Sequence, residues 1–107
     1  MFVTGEKPPW RTLLENIDQR TLAYGEQTLL AEFALGAGAR LPLHHHPQEQ
    51  TGYLLRGRLA LTIAGETREL LPGDSWSVPA DAPHQAVALE DCLAIEVFSP
   101  LRSDYLP

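Results

Sequence analysis

Short runs in which apolar and polar residues alternate recur along most of the chain. In the clearest run, residues 58–63, Leu59, Leu61 and Ile63 fall on one face of an extended segment. Ala64-Gly65 then signals a hairpin into the next run. Such runs, with turn signals roughly every eight to twelve residues, predict an all-β sandwich or barrel. The predicted strands are 21–24, 28–35, 50–56, 58–63, 66–70, 75–78, 84–89 and 92–99.

The first twenty residues lack this alternation. One glycine and two prolines within residues 5–9 interrupt any regular element there. We therefore predict an irregular N-terminal arm over residues 1–20 and a barrel domain over residues 21–107. A chain of 107 residues has the size of one domain, so no second core is expected.

Composition excludes several classes of partner. The net charge is −6 without a cluster of lysine and arginine, so no nucleic-acid partner is expected. No apolar run approaches the ~20 residues of a membrane helix, and the N-terminus lacks a signal-peptide pattern. We therefore expect a cytoplasmic protein with no membrane partner. The single Cys92 lies in an apolar run, which fits a reducing compartment and a buried, inert thiol.

The four histidines of the chain fall in two short stretches. His44 and His46 are two residues apart, so an extended backbone directs both imidazoles to one face and His45 to the other. His84 lies in the second stretch, within a predicted strand. Because imidazole nitrogens suit divalent transition metals, we predict that His44, His46 and His84 bind one ion of Zn, Mn, Fe, Ni or Co.

An oxygen ligand is expected close to these histidines. Gln50 keeps the parity of His44 and His46, although Pro47 favours a bend between them. The adjacent Glu49 is the competing choice. With Gln50 the ligand set is neutral, so the ion keeps its double charge and attracts anionic substrates.

Two spaced motifs resemble those of the cupin superfamily. They read Gly38-x5-His44-x-His46-x3-Gln50-x6-Gly57 and Gly73-x5-Pro79-x4-His84. Gln50 stands where glutamate is usual, Asp81 where glycine is usual, and Ala88 where asparagine is usual. The resemblance implies a single-domain cupin β-barrel, also called a double-stranded β-helix or jelly roll. It also implies that His44, His46, Gln50 and His84 hold the metal.

The last predicted strand contains a carboxylate in an apolar run. Glu96 shares one face of this strand with Phe98. It is either satisfied by an ion pair, with Arg56, Arg58 or Arg102, or acts on a substrate as an acid or base. Both faces of the strand are apolar, and an apolar outer face predicts contact with a second subunit in a homodimer.

The end of the chain narrows the resemblance to the small cupins of the pectin-degradation (KdgF) family. That family often ends in Asp-x-Phe-x-Pro-Pro-Arg, and the similar stretch here is Glu96-Val-Phe98-Ser-Pro100-Leu101-Arg102. Glutamate replaces aspartate at 96, and leucine replaces proline at 101. The family converts 4,5-unsaturated uronates into linear keto forms.

The resemblance also implies a role for each of these side chains. Glu96 would be the acid/base group, Arg102 would clamp the substrate carboxylate, and Phe98 would form a wall of the sugar site. Tyr53 lies on the strand after the first motif. We predict that it packs in the core or reaches the cavity as a further substrate contact.

Three functions are consistent with these residues. The first is a metal-dependent isomerase or lyase-like enzyme acting on a small, carboxylate-bearing sugar, which the neutral ligands, Glu96 and Arg102 favour. The second is a cupin dioxygenase, since iron held by three histidines and one oxygen ligand would keep open positions for oxygen. The third is a non-catalytic cupin that binds a small ligand.

Overall fold

Ten β-strands and one short C-terminal turn make up the protein in a computed structural model, which describes residues 1–107. The structure contains no helix with the length and apolar character needed to cross a membrane. The elements are β1 (Arg11–Leu14), β2 (Ile17–Tyr24), β3 (Leu29–Leu35), β4 (Arg40–His44), β5 (Glu49–Arg56), β6 (Leu59–Ile63), β7 (Glu66–Leu70), β8 (Ser75–Val78), β9 (His84–Ala88), β10 (Cys92–Ser99) and a 3-10 turn (Ser103–Tyr105).

The strands form two antiparallel sheets around one apolar core. The six-stranded sheet has the order β1-β2-β3-β10-β5-β8, and the four-stranded sheet has the order β4-β9-β6-β7. Both sheets contribute to a single cluster of buried side chains, among them Phe33, Leu54, Leu61 and Phe98. This arrangement confirms the predicted all-β jelly roll. The two sheets stay separate in their hydrogen bonding and do not close into a continuous barrel.

Alternation decides which face of each strand is buried. Four alternate residues of β3, from Leu29 to Leu35, are buried, and those between them are partly exposed. In β5 the same period buries Gln50, Gly52 and Leu54 and turns the intervening side chains outward. The inner face of β5 therefore carries one of the predicted metal ligands.

The irregular N-terminal arm is shorter than predicted. Residues 1–10 form no strand, but β1 begins at Arg11 and β2 at Ile17, so the predicted boundary at residue 20 is wrong. β2 pairs with β3 along its length, which buries Ile17 and Gln19. Because the inward-facing Gln19 is polar, the first half of β2 does not show the alternation of apolar and polar residues that predicts a strand. The tight turn before β2 uses Asn16 at a φ of 62°, a conformation that asparagine tolerates.

Strand β4 is not among the predicted strands. It contains Pro42, and proline removes a donor from the ladder. The structure accommodates Pro42 because β4 is an edge strand that pairs with β9 alone. In that pairing His44, the last residue of β4, lies opposite His84, the first residue of β9. The register of this edge strand therefore brings the two histidine-bearing motifs together.

Candidate metal centre and cavity

Three histidine rings meet between the two sheets. The ring centroids of His44 and His84 are 4.1 Å apart, and the ring of His46 lies 5.0 Å from His84 and 5.7 Å from His44. One nitrogen of each ring lies within 4.8 Å of the other two. His46 and His84 are buried. The structure thus brings together the three histidines selected from the sequence, while His45 is exposed to solvent.

Backbone carbonyls fix the tautomer of all three rings. Each Nδ1 lies 2.8–2.9 Å from the carbonyl oxygen of a residue two positions away, namely Pro42, Gln48 and Ala82 for His44, His46 and His84. A carbonyl oxygen only accepts, so Nδ1 carries the proton and donates. Nε2 is then left with a lone pair. Metal-binding imidazoles are oriented in this way by hydrogen bonds to their second nitrogen.

The Nε2 lone pairs of two histidines, His46 and His84, accept no hydrogen bond from a donor. Nε2 of His84 is buried and has no hydrogen-bond partner. Nε2 of His46 lies 2.7 Å from Oε1 of Gln50, although both atoms are acceptors when Nδ1 of His46 holds the proton. The amide nitrogen of Gln50 is engaged, since it donates to Glu96. A cation would satisfy these lone pairs, so the residues present fit a divalent metal ion.

Of the two candidate oxygen ligands, only Gln50 faces the histidines. The alternation of β5 buries Gln50 and exposes Glu49 on the opposite face. The parity that links Gln50 to His44 and His46 in the sequence therefore survives the bend at Pro47. Gln50 also contacts Glu96 through its amide group, which joins the histidine cluster to the carboxylate.

Two of the histidines, His46 and His84, are held in the neutral form that metal binding requires. Burial lowers the pKa of His84 from 6.5 to about 4, despite the hydrogen bond to Ala82. Burial also lowers the pKa of His46, and the positive charge of Arg102 acts in the same direction. Near neutral pH a metal ion would therefore not have to displace a proton from either Nε2 atom.

Glu96 faces the same cavity from β10. Gly52 of β5 lies between Glu96 on one neighbouring strand and Trp76 of β8 on the other. Because glycine has no side chain, the Trp76 indole lies over Gly52, where a Cβ atom would collide with it. Nε1 of Trp76 donates to Oε2 of Glu96 over 3.3 Å, and Gln50 donates to the same oxygen. Glu96 forms no ion pair with an arginine, so that alternative is wrong.

The protonation of Glu96 is balanced near neutrality. Burial raises the pKa of this carboxyl group from 4.5 to about 7. The hydrogen bonds from Trp76 and Gln50 and the positive charge of Arg102 oppose this rise, because they stabilise the carboxylate. A carboxyl group with a pKa near 7 can accept or donate a proton at neutral pH, as general acid–base catalysis requires.

Arg102 follows β10 and is fixed by aromatic rings and an acidic neighbour. Its guanidinium carbon lies 4.3 Å from the ring centroid of Tyr105 and 5.4 Å from that of Phe98. Nε and Nη2 donate to the two carboxylate oxygens of Asp104 over 3.2 and 2.8 Å. The positive charge of Arg102 lowers the pKa of Glu96. The guanidinium therefore influences the protonation of a residue that lines the cavity.

The cavity itself is mainly apolar. Eleven of its fifteen lining residues are hydrophobic, so charges inside it are weakly screened by solvent. Phe98 and Tyr105 form part of the apolar wall. The four polar lining residues are His44, Gln50, His84 and Glu96. The histidine cluster and the buried carboxyl group therefore face one shared space.

The structure corrects the predicted role of Tyr53. Tyr53 is 43% exposed and does not line the cavity. It lies three residues from the inward-facing Gln50, so strand parity turns its side chain to the outer face of β5. A substrate in the cavity would not contact it.

Two residues of the cavity, Trp76 and Tyr105, and the neighbouring Gly52 were missed in the sequence. Gly52 gave a signal, because a glycine within a strand often marks a close approach of another group. That group is Trp76, which the alternation of β8 did not distinguish from an ordinary core residue. Tyr105 gave no signal in the sequence, because it reaches the cavity from the turn after the last strand, where no alternation predicts which side chains point inward.

An all-β jelly roll with three converging histidines is the architecture of a cupin. The family model described as the cupin domain, Cupin_2, matches residues 31–98. The pectin degradation protein KdgF of Dickeya dadantii (strain 3937) is 30% identical over 108 residues, which cover 98% of this chain and 97% of the relative. The chain therefore belongs to the cupin family and, within it, to the family of KdgF.

Two solved structures give the same result in three dimensions. The structure of KdgF from Halomonas sp. superposes with a TM-score of 0.88 at 33% identity, covering 96% of this chain and all of that one. An RmlC-like cupin from Shewanella frigidimarina superposes with a TM-score of 0.93 at 26% identity, covering 98% and 95% of the two chains. The fold is thus shared along nearly the whole chain.

Proposed function

We propose that the protein is a metal-dependent enzyme that converts 4,5-unsaturated uronates into their linear keto forms. The observation that carries this proposal is the junction between Gln50 and Glu96, which couples a neutral set of metal ligands to a buried carboxyl group in one apolar cavity. The similarity to two KdgF proteins supports the choice of substrate, because the name of the Dickeya relative refers to pectin degradation and pectin is a polymer of uronates.

The metal site consists of the three histidines and Gln50. These four residues would hold one divalent ion, and all four are neutral, so the ion would retain its full charge. When bound, such an ion supplies Lewis-acid polarisation of a substrate oxygen. The carbonyls that accept from each Nδ1 keep the rings in place for this purpose.

Glu96 is assigned the proton transfer. The isomerisation opens a cyclic hemiacetal and turns the ring alkene into a ketone, so one hydroxyl loses a proton and C4 gains one. No atom is gained or lost overall. The raised pKa of Glu96, about 7, allows the group to exchange that proton at neutral pH. Trp76 and Gln50 hold its carboxyl group in one orientation.

Arg102 is assigned the substrate carboxylate. A guanidinium pairs with a carboxylate through two parallel hydrogen bonds, which fixes the orientation of the sugar as well as its affinity. Nη1 of Arg102 makes no hydrogen bond within the protein and Nη2 makes only one, so this edge of the guanidinium is available for the contact. Phe98, buried against the ring of His46 at 5.9 Å, would form the wall beside the sugar.

The proposal is tested by incubating the purified protein with unsaturated galacturonate and unsaturated guluronate. We expect metal-dependent loss of the ring-alkene absorbance, which a chelator abolishes and added metal restores. Oxygen consumption in the same assay would indicate a dioxygenase instead. Binding of the uronates without any change in absorbance would indicate a ligand-binding module and would reject the catalytic proposal.

We further propose that the protein is a homodimer. Tyr53, Leu55 and Val97 are exposed on the outer faces of β5 and β10, which are neighbouring strands. Exposed apolar side chains on neighbouring strands are typical of subunit contacts. Sedimentation velocity should give the mass of a dimer for the wild type and of a monomer for Val97→Glu. A wild-type monomer at all concentrations would reject the proposal.

A further inference from the structure

The C-terminal turn, Ser103–Tyr105, follows Arg102 directly and is tied to the other end of the chain. Nη2 of Arg11 in β1 donates to the carbonyl oxygen of Asp104 over 2.6 Å. The hydroxyl of Thr21 in β2 donates to the carbonyl oxygen of Tyr105 over 2.5 Å. These bonds join residues 93 and 84 positions apart, so the turn is anchored on the edge of the six-stranded sheet.

A buried amide orients both anchors. Gln19 is fully buried, its Oε1 accepts from Nε of Arg11 over 2.7 Å, and its Nε2 donates to the hydroxyl of Thr21 over 3.1 Å. A buried amide side chain is costly unless its polar atoms are hydrogen-bonded. Gln19 meets this requirement only through the two residues that bind the turn. The network therefore accounts for a polar residue in the interior of β2.

The anchored C-terminal turn holds the guanidinium of Arg102. Asp104 binds its Nε and Nη2, and the Tyr105 ring stacks under it at 4.3 Å. Tyr105 is itself packed edge-on against Phe98 and Phe33, at 5.5 and 6.1 Å. Arg102 is thus fixed by groups whose backbone positions depend on Arg11 and Thr21.

We propose that Arg11, Gln19 and Thr21 are positioning residues for Arg102. Through the C-terminal turn they hold its free Nη1 where a sugar carboxylate is bound, and they do so without contacting the sugar. This inference rests on the proposed function, because it concerns the affinity for carboxylate-bearing substrates.

Thr21→Val removes one hydroxyl at nearly constant volume and is the sharpest test. We expect KM for the unsaturated uronate to rise about two- to tenfold, the range expected for one hydrogen bond, with kcat within about twofold. Thr21→Ser should restore the wild-type KM. The matched control is Thr62→Val, since the Thr62 hydroxyl bonds that of Thr67 on the separate β6–β7 hairpin. A fall in kcat at constant KM, or an equal effect of the control, overturns the inference.

A second variant and a readout without substrate keep the inference testable if the enzyme acts on something else. In NMR spectra the Nε–H of Arg102 should exchange slowly with solvent in the wild type and about two- to tenfold faster in Thr21→Val and in Arg11→Lys. The Nε–H of Arg68, which binds Glu66 on the hairpin, should be unchanged. Unchanged exchange at Arg102 overturns the inference even if uronates are converted. Absence of uronate conversion with faster exchange rejects the proposed function alone.

Discussion

The two walls of the cavity are built in different ways. The histidine wall depends on strand register and on carbonyls two residues away, so its geometry is largely local. The opposite wall is formed by Glu96, Phe98 and Tyr105, with Arg102 stacked on the last two. The positions of Tyr105 and Arg102 depend on contacts between chain segments more than eighty residues apart. Under the proposed function, metal binding should therefore tolerate changes that substrate binding does not.

Glu96→Gln should give the largest difference between an effect on turnover and an effect on metal binding. The substitution keeps the shape of the side chain but removes its acid–base function, so we expect the turnover of unsaturated uronate to fall about 10²- to 10⁴-fold. The metal content, measured by elemental analysis, should stay at one ion per chain.

Glu49→Gln is the matched control for this variant. Glu49 lies on β5 beside Gln50 but is exposed on the outer face. Its turnover and metal content should equal those of the wild type. A comparable loss of turnover in both variants would mean that Glu96 has no special part in the reaction.

In the presence of a chelator the two walls should respond oppositely to pH. Because burial lowers the pKa of His84 from 6.5 to about 4, the unfolded chain binds this proton first, and stability is lost as the pH falls through that window. Because burial raises the pKa of Glu96 from 4.5 to about 7, the folded chain binds this proton first, and stability is lost as the pH rises from 4.5 to 7. The two effects oppose each other in the wild type.

Denaturant unfolding of Glu96→Gln should reveal the histidine effect alone. We expect the free energy of unfolding of this variant to fall by about 3 kcal/mol between pH 6.5 and pH 4. The wild type should change less over this range, because protonation of Glu96 stabilises its fold. An identical pH dependence of the two proteins would contradict the opposed burial of the two groups.

Arg102→Leu should weaken substrate binding while leaving the metal in place. Hydrogen bonds to a charged group contribute about 1.5–3 kcal/mol, so we expect KM to rise about 10- to 150-fold. Arg102→Lys should recover only part of this loss, since lysine cannot pair bidentately. Calorimetric titration with galacturonate and with neutral galactose provides the check, because only the acid should lose affinity.

Tyr53→Phe is expected to have the smallest effect. Tyr53 projects from the outer face of β5, so KM, kcat and metal content should each stay within about twofold of the wild type, as for most surface substitutions. A large change in KM would show that the phenol reaches the substrate after all.

The sequence predicts the histidine wall well because its information is local. The spacing of His44 and His46 and the parity of Gln50 follow from the period of an extended strand. Applied to Tyr53, which lies at an odd distance from Gln50, the same period contradicts the predicted inward position and agrees with the exposed one. The structure confirms the all-β fold on this basis.

The opposite wall of the cavity is harder to predict from the sequence. The motif around Glu96 and Arg102 suggests their roles, but no local pattern indicates that Arg11 and Thr21 anchor the turn that follows. Gln19, a polar residue at an inward position, concealed the first half of β2, of which only residues 21–24 were predicted. Its hydrogen-bond partners, Arg11 and Thr21, become apparent only from the pairing of β1 with β2.

Anomalous X-ray scattering from crystals of the metal-loaded protein tests the central claim most directly. We predict one divalent ion per chain, bound by Nε2 of His44, His46 and His84 and by Oε1 of Gln50, with Glu96 facing the same cavity. An ion located elsewhere, or these four side chains bound to no ion after loading, would contradict a metal centre at this site.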